Sequence, residues 1–190
     1  MELKGSKTEQ HLLAAFAGES QARNRYTFFA SVAKKAGYEQ ISGIFTETSA
    51  NEKEHAERFF KFLEGGELEI TAAFPAGIIG DNAANLKASA DGENMEWTKL
   101  YKDAEQVARD EGFEEIASVF KEIAEVEEEH EKRYRKLLAN IEAGTVFKKD
   151  KVVKWKCRNC GYVHEGTEAP MECPACAHPQ AYYELLAENY

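Results

Sequence analysis

Glu52-x-x-His55 recurs 75 residues later as Glu127-x-x-His130, and nothing else in the 190-residue chain restricts its fold as tightly. The flanks repeat at the same offset: Gly37 with Gly112, Ile41 with Ile116, Phe45 with Phe120, Glu47 with Glu122, Arg58 with Arg133 and Leu63 with Leu138. Shared helix packing aligns apolar positions in any two helices. It does not align a glutamate and a histidine together. The repeat therefore reads as a duplicated helix pair, which implies a bundle of pseudo-twofold symmetry with related residues facing one centre.

The rest of the first 140 residues supports helices. Ser6 and Glu9 stand three apart as a capping box. Leu12, Leu13, Phe16, Ala22, Tyr26, Phe29 and Val32 follow at helical spacing, and Gly37 ends the run after Lys34 and Lys35, whose charges suit a C-terminus. A second helix is expected over about 38–64, stopping at Gly65-Gly66. The short turn at Gly37 makes the two antiparallel. Residues 65–81 hold Pro75, four glycines and the run Ile78-Ile79, and read as a crossover partly packed on the bundle. Helices over about 82–111 and 113–142 complete the set, punctuated by Gly112 and Gly144. The expected fold is mainly α, a ferritin-like four-helix bundle with a long crossover over 1–145.

Glu52 with His55, and Glu127 with His130, each share one helix face, because i and i+3 are neighbours there. Glu19 and Glu93, each following a glycine, complete a pattern of one Glu from each of two helices and Glu-x-x-His from the other two. That is the di-iron or di-manganese carboxylate pattern. Iron accepts carboxylate oxygen and imidazole nitrogen, and two cations offset buried carboxylates that would otherwise be prohibitive. Glu96, one turn beyond Glu93, adds a surplus carboxylate that suits a centre changing oxidation state. Tyr26 lies seven residues after Glu19, and Tyr101 five after Glu96, so both can donate hydrogen bonds to these carboxylates. Gly18 and Gly92 sit mid-helix, where each costs about 1 kcal/mol against alanine; close helix approach beside the ligands is their expected role.

All four cysteines fall late, as Cys157-x-x-Cys160 and Cys173-x-x-Cys176, and the first 156 residues have none. That clustering points to a metal in a reducing compartment rather than a disulfide framework. Residues 146–153 read as a linker and 154–190 as a small β/loop domain, too short to fold on core burial alone. Trp155, Tyr162 and Tyr183 are its candidate core. Four thiolates suit tetrahedral zinc or iron alike.

The net charge of −10 disfavours nucleic acid and anionic lipid. No window is apolar enough to span a bilayer, and the polar N-terminus lacks a signal-peptide core, so a cytoplasmic protein is expected.

The stretches GESQARNRY (18–26), ANEKEHAERFFKFLEGG (50–66), FPAGII (74–79), EEEHEKRY (127–134), CRNCGYVHEG (157–166) and CPAC (173–176) resemble the rubrerythrin family over essentially the whole chain. The cysteine set resembles rubredoxin, which tips its metal to iron. The resemblance implies a non-haem di-iron peroxidase reducing hydrogen peroxide to water. Glu19, Glu52, Glu93, Glu96, Glu127 and His130 would ligate two irons, Glu52 and Glu127 would bridge them, and His55 and Glu96 would exchange at one iron with redox state. Electrons would arrive through the Fe(Cys)4 centre from an external donor, a rubredoxin or NAD(P)H-dependent reductase; the chain itself has no nicotinamide-binding glycine fingerprint. A head-to-tail homodimer is also implied. The competing expectation is a ferroxidase of the same fold carrying a zinc ribbon.

Overall fold

The computed structural model describes residues 2–189. Five helices, α1 (Lys7–Lys35), α2 (Glu39–Phe60), α3 (Asn82–Met95), α4 (Tyr101–Asp110) and α5 (Glu114–Glu142), build the bundle, with a π-helical turn at Glu96–Leu100 joining α3 to α4. α1 packs along α2, and α3 and α4 pack along α5. None of these helices is long and apolar enough to cross a membrane.

The helix ends follow the local chemistry. Ser6 Oγ accepts from the Glu9 N–H at 3.0 Å, and Glu9 Oε2 accepts from the Gly5 N–H at 2.7 Å. Asp81 caps α3 by accepting from the Ala84 N–H at 2.8 Å. Gly37 and Gly112 terminate their helices at φ +81 and +85, a region costly for any residue with a Cβ. The duplication extends to the hydrogen bonds: Tyr38 N–H donates to Ala33 O at 2.9 Å, and Phe113 N–H to Ala108 O at 2.8 Å.

Two aromatic triads flank the bundle centre and map onto each other at the same offset. Tyr26, Phe45 and Tyr134 pack with ring centroids 5.2–6.0 Å apart. Tyr101, Phe120 and Phe59 pack at 4.9–5.8 Å. Each triad belongs to one of two apolar clusters of the bundle.

The offset changes once. Leu12 matches Leu86 and Glu19 matches Glu93 at 74 residues, whereas Tyr26 matches Tyr101 and Ala33 matches Ala108 at 75. All eight are buried. The second half therefore carries one extra residue between Glu93 and Tyr101, and the π-turn at Glu96–Leu100 absorbs it. The continuous helix expected over 82–111 is interrupted there.

The crossover packs on the bundle only in part, as expected, and its apolar pair Ile78-Ile79 is not the part that packs. Ile78 and Ile79 are 82% and 59% exposed, because the segment runs without regular structure and no element lies over them. Ile70 and Phe74, half-buried, make its contact with the bundle instead.

Beyond α5 a small antiparallel sheet forms from β1 (Lys148–Cys157), β2 (Val163–Glu168) and β3 (Tyr183–Leu185), with β1 in the centre. The strand begins at Lys148, inside the stretch read as linker. Trp155 and Tyr183 are buried with Cys157 and Cys173, and Trp155 Nε1 donates to Gly166 O at 3.1 Å. Tyr162 lies outside this core, 36% exposed, just before β2. The module rests on the α1–α2 corner. Tyr38 stacks on Phe147 with centroids 5.9 Å apart, and the Arg158 guanidinium lies over Gly43, where an added Cβ would stand 2.6 Å from Nη2.

Candidate metal centres

Four helices deliver the candidate ligands: Glu19 from α1, Glu52 and His55 from α2, Glu93 from α3, and Glu127 and His130 from α5. Their donor atoms form two groups, each within 4.8 Å of one another: Glu19, Glu52, His55 and Glu127, and Glu52, Glu93, Glu127 and His130. Glu52 and Glu127 belong to both. Each offers an oxygen to each histidine. His55 Nδ1 is 2.9 Å from Glu127 Oε1 and 3.0 Å from Glu52 Oε2. His130 Nδ1 is 2.7 Å from Glu127 Oε2 and 3.3 Å from Glu52 Oε1. The arrangement is that of two adjacent sites sharing two carboxylates.

The electrostatics suit cations. Glu19, Glu52, Glu93 and Glu127 are fully buried. Burial and the neighbouring carboxylates, Glu127 first for Glu19 and Glu52 first for Glu93, hold both outer carboxyls well above the usual range. Burial alone would lower the histidines, but Glu127 and Glu52 raise His55 to about 10 and His130 to about 9. Glu127 would rise by burial too, yet His130 and His55 hold it down. Glu52 Oε1, Glu19 Oε2, both Glu127 oxygens and His130 Nδ1 are buried with no aligned hydrogen-bond partner. Buried polar atoms left in this state are costly. Two divalent cations satisfy the unpaired lone pairs and the charge together, so the residues present fit a di-metal centre of oxygen and imidazole ligands.

The tyrosines do meet the carboxylates, but crosswise. Tyr26 Oη donates to Glu93 Oε1 at 2.5 Å, and Tyr101 Oη to Glu19 Oε1 at 2.5 Å. Each tyrosine serves the opposite helix. Glu96 stands half-buried outside both donor groups. Burial, then the Glu127 and Glu52 charges, push its carboxyl up to about 8.

Sequence reasoning missed Glu131. It is buried and accepts from Trp97 Nε1 at 2.6 Å, Asn94 Nδ2 at 2.9 Å and Arg135 Nε at 2.6 Å. It thereby pins the π-turn to α5. Its position one turn past Glu127, with Arg135 four residues on, was the available signal. Gly18 and Gly92 do not permit close helix contact as expected. A Cβ on Gly92 would meet nothing within 4 Å, and one on Gly18 only Phe74 at 3.9 Å. Gly92 faces open space, and Gly18 has only the crossover's Phe74 at ordinary contact distance.

The four Sγ atoms form the second site. Cys157 and Cys176 are 3.8 Å apart, Cys160 and Cys173 3.7 Å. A tetrahedron with metal–sulfur bonds of about 2.3 Å has an edge of about 3.8 Å. Two matching turns present the thiols: Gly161 N–H donates to Cys157 O and Ala177 N–H to Cys173 O, both at 2.8 Å. Gly161 and Ala177 both adopt positive φ, +82 and +55. Cys157 and Cys173 are buried, while Cys160 is exposed, so one edge of the site faces outward. His164 and His178 are half-buried; His178 packs on Tyr182, and neither joins the thiolates.

A four-helix bundle with twofold-related carboxylate–histidine donors, joined to a four-thiolate module, defines a ferritin-like di-iron protein with a rubredoxin-like domain. Comparison with known proteins agrees. The family model for rubrerythrin matches residues 10–138, and that for the rubrerythrin rubredoxin-like domain matches residues 155–184. Rubrerythrin of Porphyromonas gingivalis is 66% identical over 99% of this chain and 94% of its own length. Rubrerythrin of Nitratidesulfovibrio vulgaris is 62% identical over 99% and 98%. The fully reduced, all-ferrous structure of nigerythrin superposes with a TM-score of 0.64 at 32% identity, covering 96% of this chain and 87% of that one. The chain belongs to the rubrerythrin family, whose members are iron-dependent oxidoreductases. Its cofactors are a di-iron centre and a mononuclear iron held by four cysteines.

Proposed function

We propose that the protein is a peroxidase that reduces hydrogen peroxide to water. Glu19, Glu52, His55 and Glu127 would hold one iron; Glu52, Glu93, Glu127 and His130 would hold the other. The two donor groups sharing Glu52 and Glu127 are the observation that carries this reading. Bound as a ferrous pair, such a centre supplies two electrons to one O–O bond, and H2O2 with two electrons and two protons gives two H2O.

The protein's own groups do the positioning. Tyr26 and Tyr101 fix the rotamers of Glu93 and Glu19, and their burial-raised hydroxyls remain protonated donors at neutral pH. Glu96, in reserve beside Glu93, is suited to the ligand exchange with His55 that the family resemblance implies. The apolar clusters on either side exclude bulk water. The exposed Cys160 edge is where an external rubredoxin or NAD(P)H-dependent reductase would deliver electrons one at a time.

The module contacts α2 at Gly43, nine residues before Glu52, on the order of 14 Å along the helix axis. The family resemblance implies a head-to-tail homodimer in which one module serves its partner's iron pair. Equimolar Cys160→Ser and Glu52→Ala proteins test this: subunit exchange should restore activity that neither has alone. No recovery after demonstrated exchange refutes delivery between subunits.

The peroxidase reading itself is tested by anaerobic mixing of fully reduced, iron-loaded protein with about one equivalent of hydrogen peroxide. Rapid return of ferric absorption at both centres, with peroxide consumed, is expected. Slow oxidation by peroxide with fast oxidation by dioxygen would instead support a ferroxidase.

A further inference from the structure

A cavity of about 720 Å³ lies between α1, α3, α4 and the crossover. Its walls are mostly apolar: Ala14, Ala15, Ala88, Met95, Ile70 and Phe74. At one end it reaches Glu96 and Tyr101, the groups beside the donor cluster. Hydrogen peroxide needs little of this room, since a water occupies about 30 Å³ in the liquid. The cavity is instead of the size and lining that enclose a small organic ligand.

Two glycines keep it open. Gly18 and Gly92 are twofold-related, precede Glu19 and Glu93, and both line the cavity. Each sits inside a helix, where glycine costs about 1 kcal/mol against alanine. Neither is held by crowding, since a Cβ at Gly92 meets nothing within 4 Å. Neither has the positive φ that would require glycine. What the missing side chains leave is space beside the ligands.

We infer that this cavity is a substrate site for organic hydroperoxides, compounds with an apolar body whose –OOH group is presented at Glu96 and Tyr101. This deepens the peroxidase reading and rests on it. The reaction is ROOH + 2 e⁻ + 2 H⁺ → ROH + H2O. The O–O bond breaks, the distal oxygen leaves as water and the proximal oxygen becomes the alcohol. The electrons are those of the ferrous pair, replaced through the four-cysteine iron by the external donor, and the protons come from solvent. The apolar walls hold R, and Ile70 and Phe74 of the crossover close over it.

The test compares cumene hydroperoxide with hydrogen peroxide as oxidants of the reduced, iron-loaded full-length protein. Binding of 2-phenyl-2-propanol, the alcohol product, is measured separately by calorimetry on the oxidised protein. Gly92→Leu places a side chain into the cavity from a position where leucine improves helix propensity. Ala88→Leu, one turn earlier on the same helix, is the second variant should the first not fold. The wild type is expected to reduce both peroxides and to bind the alcohol. The filled variant is expected to lose alcohol affinity and to lower the cumene-to-hydrogen-peroxide rate ratio, each by roughly tenfold or more, the scale on which apolar pockets discriminate. Reduction of hydrogen peroxide alone, absence of alcohol binding, or an unchanged ratio in the variant overturns the inference and leaves the peroxidase reading standing. Reduction of neither peroxide overturns the peroxidase reading itself, and this inference with it.

Discussion

The crossed tyrosines make the sharpest demand on the structure. Tyr26→Phe removes a buried 2.5 Å hydrogen bond to Glu93, the outer carboxylate of the donor group containing His130. A hydrogen bond to a charged group contributes roughly 1.5–3 kcal/mol, which at about 1.4 kcal/mol per decade is a loss of about 10- to 150-fold in ferrous affinity. The second-sphere effects seen at metal sites are of the same size. The pairing is read from a double-mutant cycle, with ferrous binding measured by anaerobic calorimetry on Tyr26→Phe, Glu93→Ala, Glu19→Ala and the two doubles containing Tyr26→Phe. Once Glu93 is gone, Tyr26→Phe should cost little more, so Tyr26 and Glu93 are strongly non-additive. Tyr26 and Glu19 share a helix but lie about 10 Å apart along its axis, and their coupling should be smaller by at least about 1 kcal/mol. Equal coupling of Tyr26 to both glutamates, or stronger coupling to Glu19, would refute the crossed arrangement. Tyr101→Phe should behave as the mirror image, coupling to Glu19.

Metal uptake should release protons: burial and like charge raise the Glu19 and Glu93 carboxyls and favour their protonated form, and carboxylate partners raise His55 and His130 to about 10 and 9. Ferrous affinity therefore rises with pH and falls as the solution is acidified, and calorimetry in buffers of different ionisation enthalpy should show the release; identical heats in all buffers would contradict it. Gly92→Ala should stabilise the protein by about 0.5–1 kcal/mol, visible as a raised Tm, because the new methyl meets open space; a lowered Tm would show that the position is constrained after all. In the cysteine module, Ala177→Gly should slow iron loss to a chelator, since alanine at φ +55 bears a cost of about 1–2 kcal/mol, while Gly161→Ala should speed it. Unchanged rates in both would remove the strain argument.

Much of the site was legible before any coordinates. The Glu-x-x-His repeat marked which residues share a helix face, and the cysteine spacing marked the second metal. Gly37 and Gly112 marked the helix ends, and all three readings describe local periodicity. The π-turn has a sequence signal too: Gly18 to Gly92 is 74 residues and Tyr26 to Tyr101 is 75, so one residue has to be absorbed between them. The exposure of Ile78 and Ile79 was not legible, because an apolar pair in a segment without regular structure carries no information about what lies over it. Nor was the role of Gly18 and Gly92. A glycine that permits contact and a glycine that preserves space look alike until the neighbours are placed.

The chain's own pattern determined the donor types, their duplication and their grouping by helix face, since each depends only on residues a few positions apart. Which donor meets which partner was decided by tertiary structure. A crossover of some 20 residues extends far enough to run the length of a 22-residue helix and start the second half at the opposite end. α1 then lies antiparallel to α3 and α4, which sets Tyr26 beside Glu93 and Tyr101 beside Glu19. Had the two helices run parallel, each tyrosine would face its duplicate and neither would reach a ligand. Periodicity assigns a residue to a face, and only the direction and stagger of the facing helix assign it a neighbour.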